Sequence, residues 1–93
     1  MAYSDKDISK DAVIVNELGL HARSAAKIAE IARHAKSNVW IIKGSEKVDA
    51  KSIIDMLTLG CTKGSNITIK IDYQPDIEVL DRIVRLVESG FGE

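Results

Sequence analysis

The residues with the most chemistry in them sit close together in Gly19-Leu20-His21-Ala22-Arg23-Ser24. A neutral imidazole is a competent nucleophile near physiological pH. From Ala22 onward the residues take helical spacing, so His21 stands at the mouth of a helix. The first backbone N–H groups of a helix lack internal partners and point outward from a partly positive end, which makes a seat for phosphate or carboxylate. The amides of Ala22 and Arg23 would form that seat, and the Arg23 guanidinium would reach the same anion. The positive end also disfavours imidazolium, leaving the nucleophilic form. A lone histidine at a helix start is in most proteins a solvated or capping side chain, so the rest of the chain has to decide its role.

Further along, Ser52 opens a second short helix, and Ser52-x-x-Asp55 fits a capping box. Ile53, Ile54, Met56 and Leu57 cannot all face inward from so short an element. Ile54 and Leu57 are therefore expected to stay partly exposed beside His21 as an apolar docking patch, with Ser24 on the same surface. Arg23, Lys27, Lys47 and Lys51 would ring the patch and steer it toward acidic partner surfaces. His34, on the polar side of the first helix, reads as a solvated side chain. Cys61 reads as a small filler after Gly60, and Trp40 as sheet packing.

The elements that must position these residues follow from periodicity. Ala12-Val13-Ile14-Val15 is a β-branched strand ended by the loop Asn16-Glu17-Leu18-Gly19, with a polar leader before it. Ala25, Ile28, Ala29, Ala32 and Ala35 give the first helix an alanine-rich inner face. Val39-Trp40-Ile41-Ile42 and the segment around Glu46-Lys47-Val48 form a hairpin across Gly44-Ser45. Asn66 to Asp72 alternates, with Ile67, Ile69 and Ile71 on one side of a strand. A last helix starts near Pro75-Asp76 and carries Ile77, Leu80, Ile83, Val84 and Val87 before Gly90. The order β-α-β-β-α-β-α predicts an α+β open-faced sandwich.

Ninety-three residues hold one small domain, with 45% hydrophobic residues to build its core. Residues 1–93 are thus expected to be a single domain, with residues 1–7 a frayed leader. A net charge of −1 and four aromatic side chains argue against nucleic acid or an anionic membrane as a default partner. The charge is uneven, +3 over residues 1–71 and −4 over residues 72–93, so an anion site belongs in the first part. One cysteine excludes an internal disulfide and a cysteine metal cluster. No apolar run approaches the length of a membrane span, and the leader lacks a signal core, so the expected location is the cytoplasm.

Gly19-Leu20-His21-Ala22-Arg23, followed by Ala50-Lys51-Ser52-Ile53 and Leu59-Gly60, resembles the histidine-containing phosphocarrier family HPr over about residues 8–93. The resemblance implies a four-stranded antiparallel sheet with three helices on one face. It implies that His21 accepts a phosphoryl group from phosphorylated Enzyme I and passes it to IIA proteins or domains of the phosphoenolpyruvate:sugar phosphotransferase system. Arg23 would steady the phosphate. The chain would be a covalently phosphorylated carrier, not an enzyme, working as a monomer without a cofactor or metal. The family also implies a regulatory role for Ser52, through an HPr kinase/phosphorylase and a transcriptional regulator. That leaves a second possibility, a regulatory interaction module with little sugar-linked flux. Two positions depart from the family pattern: Ser24 stands where proline is usual, and Asp55 where glycine is common.

Overall fold

The structure, a computed structural model, describes residues 8–93, so the leader expected over 1–7 lies outside the described residues. Four strands and three helices follow in the predicted order: β1 (Ser9–Val13), α1 (Ala22–Ala32), β2 (Val39–Lys43), β3 (Glu46–Asp49), α2 (Ile53–Leu57), β4 (Asn66–Ile71) and α3 (Ile77–Glu88). The strands form one antiparallel sheet in the order β1-β4-β2-β3, which makes the alternating isoleucine strand β4 central. Register puts Ile69 opposite Ile41, Ile71 opposite Val39 and Ile67 opposite Ala12. These six side chains share one face and are buried. A one-residue slip would turn all of them outward, so the hydrophobic pattern pins the pairing.

The helices cover that face. Ala25, Ile28, Ala29 and Ala32 of α1 are fully buried, and three alanines among four contacts let the helix lie close to the strands. Helix α3 buries Val79, Leu80, Ile83 and Val87 and packs on β1 and β4, while α2 rests against α1 and β3. On the opposite face Trp40 donates its indole N–H to Asp72 (3.0 Å), with the Lys47 ammonium 4.5 Å above its ring. The result is an open-faced α+β sandwich.

Three boundaries differ from the expectation. β1 begins at Ser9 with Ile8 buried, because pairing with β4 runs back to Ser9 opposite Lys70 whatever the polarity of Ser9, Lys10 and Asp11. Helix α1 ends at Ala32, and Ala35 reaches the core from the turn beyond it. Pro75 lies in a short 3₁₀ turn, Gln74–Asp76, ahead of α3 rather than in the helix; inside α3 Val79 joins Leu80, Ile83 and Val87 as buried, while Ile77 and Val84 are half-buried.

Candidate functional site

Gly19 starts the site. Its φ of +66° suits glycine, and an added Cβ would stand 2.4 Å from the Cys61 carbonyl oxygen. That close approach is sealed by the next residue, since the Leu20 N–H donates to the same Cys61 oxygen (2.9 Å). The loop is thus tied to the segment after α2, and His21 is fixed as the residue just before α1. Burial pushes the Cys61 thiol above its ordinary range, in keeping with a structural side chain.

His21 is itself the N-cap of α1, with extended backbone angles (φ −113°, ψ −178°). Its Nδ1 accepts from the Arg23 backbone N–H (3.3 Å), and its own N–H donates to Ser24 Oγ (2.9 Å). The pair forms a reciprocal capping box. The Ser24 hydroxyl in turn lies within donating reach of the His21 carbonyl (3.1 Å) and the Gly19 carbonyl (3.2 Å). Ser24 therefore fills, with a hydroxyl, the place where a proline would remove a donor.

A backbone amide can only donate, so the bond to Arg23 assigns the lone pair to Nδ1 and the ring proton to Nε2. Nε2 lies 2.5 Å from Glu93 Oε2, which accepts that proton. The other oxygen of Glu93 accepts from Asn16 Nδ2 (2.9 Å), which also donates to the Gly19 carbonyl (2.8 Å). The Asn16 amide first, and the His21 ring second, hold the Glu93 carboxyl below its ordinary value. Over this arrangement opens a cleft of about 620 Å³ lined by His21, Ala22, Arg23, Lys27 and Glu93. The arrangement offers an uncharged ring whose nucleophilic nitrogen is aimed by an amide, with cationic side chains beside it.

Several expected site residues stand elsewhere than anticipated. Ser24 is fully buried, so it is part of the cap and not of a partner surface. The Arg23 amide donates to His21 Nδ1 (3.3 Å), so it is not a bare N–H group at the start of α1. The ring of cations does not close: Lys47 covers Trp40, Lys51 donates to the Ser37 carbonyl (3.0 Å) and Lys27 to the Phe91 carbonyl (2.6 Å). Arg23 remains exposed. Ile54 and Leu57 are exposed, by 76% and 39%, with Met56 alone of α2 fully buried. Ser52 Oγ caps α2 by accepting from the Asp55 N–H (3.2 Å), but the reciprocal half of the predicted box is lost. The Ser52 N–H donates to the Asp49 carbonyl instead (3.1 Å).

Glu93 and Asn16 carried no usable signal in the sequence. Asn16 reads only as a loop residue, and Glu93 lies 72 positions from the histidine it touches.

The fold and site define an α+β open-faced sandwich that presents a helix-capping histidine with an aimed lone pair at the start of α1. Residues 8–89 match the family model for the phosphotransferase-system HPr component phosphorylation site. The chain is 36% identical over 86 residues to the phosphocarrier protein HPr of Cupriavidus necator, covering 92% of this chain and 97% of that protein. To the phosphocarrier protein NPr of Shewanella violacea it is 35% identical over 86 residues, covering 92% and 94%. The crystal structure of HPr-C-His from Thermoanaerobacter tengcongensis superposes with a TM-score of 0.85 at 35% identity, covering 91% of this chain and 96% of that one. This chain belongs to the HPr family of phosphotransferase-system phosphocarriers. Among the described residues no helix is long and apolar enough to cross a membrane.

Proposed function

We propose that the chain carries a phosphoryl group on His21 Nδ1, taking it from the phosphohistidine of Enzyme I and giving it to IIA proteins or domains in the cytoplasm. The supporting observation is the Arg23 N–H held at 3.3 Å on Nδ1, which leaves that nitrogen deprotonated at the start of α1. In the transfer the N–P bond of the donor breaks and its electron pair returns to the donor ring. The Nδ1 lone pair forms the new N–P bond, and Nε2 keeps its proton. A phosphoryl group on Nδ1 displaces the Arg23 amide from the ring, so that N–H meets a phosphoryl oxygen instead, at the positive end of α1. The Arg23 guanidinium, exposed on the same turn, supplies the compensating charge. No step calls for an acid, a base or a metal from the carrier. The protein is consumed and regenerated stoichiometrically, as a single domain, and Ile54 and Leu57 give its partners an apolar patch on α2.

Incubation with phosphoenolpyruvate and Enzyme I tests this directly. An acid-labile phosphate should appear on the protein and be absent from His21→Ala; label that persists in His21→Ala rules out the assignment.

A further inference from the structure

Met56 is the one fully buried residue of α2, and it fixes which way the rest of that helix faces. At about 100° of rotation per residue, Ile54 points almost directly away from the core. Leu57 lies about 60° to one side of it and Asp55 about 100° to the other. All three are exposed, so a partner surface that closes over Ile54 meets Asp55 as well. Nothing within the fold uses that carboxylate. Asp55 gives its backbone N–H to Ser52 Oγ (3.2 Å) and accepts the Thr58 hydroxyl on its carbonyl (2.6 Å). Among the described residues its side chain has no hydrogen-bonded or ion-paired partner. The lysines around α2 are drawn elsewhere: Lys43 donates to the Leu59 and Gly60 carbonyls (3.2 and 3.3 Å), Lys51 to the Ser37 carbonyl, and Lys63 pairs with Glu17. The helix itself carries no basic side chain. The free charge on the exposed face of α2 is therefore negative, the opposite of the ring of cations that the sequence suggests.

We propose that Asp55 is a specificity-determining residue of the docking surface: the face of Enzyme I that takes Ile54 presents a lysine or arginine to Asp55, and surfaces that are acidic at that point are rejected. The inference rests on the carrier function proposed above. In the free chain the Asp55 carboxylate is hydrated. Covering it with an apolar or acidic surface removes that water and replaces it with nothing, which costs affinity unless a cation takes its place. A partner that buries Ile54 closely thus has to supply one. The docking face then carries two charges of opposite sign. Arg23, at the mouth of α1, meets the incoming phosphoryl group, and Asp55, on α2, meets a cation. A uniformly basic face would attract any acidic protein, whereas a bipolar one also selects the orientation of the encounter and penalises partners with the wrong sign beside α2.

Asp55→Asn removes the charge at nearly constant size, Asp55→Lys reverses it and Asp55→Glu keeps it. Initial rates of phosphoryl acceptance from the phosphorylated Enzyme I of the same cell give kcat and KM at low salt (about 20 mM) and at high salt (about 500 mM). At low salt KM should rise about threefold in Asp55→Asn and about tenfold in Asp55→Lys, with kcat unchanged. At high salt, where the Debye length falls to about 4 Å, both should come within about twofold of the wild type. Asp55→Glu should stay within about twofold of the wild type throughout. A carboxylate that merely steadies the first turn of α2 would lower Tm when removed and leave the salt dependence of KM as it was, so thermal unfolding of each variant separates that role from docking. A KM that falls in Asp55→Lys puts an acidic group opposite Asp55 and overturns the proposal, and so does a KM unchanged in all three variants. In both cases the wild type still takes phosphate and the carrier function stands. A wild type that takes none overturns both.

Discussion

Replacing Gly19 by alanine tests how the site is held in place, and Gly44→Ala supplies the control. Both glycines have φ near +60°, but an added Cβ at Gly44 meets nothing within 4 Å, whereas at Gly19 it meets the Cys61 oxygen at 2.4 Å and Thr62 Cα at 3.0 Å. The left-handed conformation alone costs an L-residue about 1–2 kcal/mol, and Gly44→Ala should lose no more than that. At Gly19 the obstruction is backbone and cannot rotate away. Moving it strains the Leu20–Cys61 hydrogen bond, so an overpacking term of about 1–3 kcal/mol adds to the first. The sum is about 2–5 kcal/mol, a large part of the roughly 5–15 kcal/mol that stabilises a domain of this kind. Urea unfolding followed by circular dichroism reads the difference. With a slope of about 1.5 kcal/mol/M, a loss of 3 kcal/mol lowers the midpoint by about 2 M, against less than about 1.3 M for Gly44→Ala. Phosphoryl acceptance by Gly19→Ala should fall as well, because His21 follows two residues later. Equal midpoints for the two variants would refute the close approach as the element that fixes the loop.

Two further outcomes follow from the same geometry. Ser24→Ala leaves the His21 N–H and a neighbouring carbonyl without their hydroxyl partner at a fully buried position, so it should cost about 1–3 kcal/mol and lower Tm by about 5 °C or more; a melting curve unchanged within about 2 °C would show that the hydroxyl is dispensable to the cap. Ile54→Glu, at a residue 76% exposed, should leave stability within about 0.5 kcal/mol of the wild type while raising KM for Enzyme I. Steady-state kinetics with an unchanged KM would remove Ile54 from the docking surface.

Much of the fold could be read from the chain because its signals are local. The alternation of Ile67, Ile69 and Ile71, the alanine face of α1 and the left-handed Gly60 after α2 each depend on residues within a few positions of one another. Boundaries were less legible where a partner strand or a cap decided them. Ser9 and Lys10 join β1 because β4 is long enough to pair with them. The capping box was expected at Ser52, where serine followed by an acidic residue fits the usual pattern. It forms instead at His21 and Ser24, with the roles of hydroxyl and carboxylate taken by an imidazole nitrogen and a serine.

The amino-acid order alone singled out the candidate for reaction and what stands beside it along the chain: a histidine two places after a glycine, and an arginine two places further on. Tertiary structure decided the state of that histidine. Which ring nitrogen holds the proton depends on an amide from one side and a carboxylate from the other, and the carboxylate arrives from 72 residues away. Sequence spacing encodes periodicities of two and 3.6 residues, and no periodicity extends across a folded core to say which distant side chains meet.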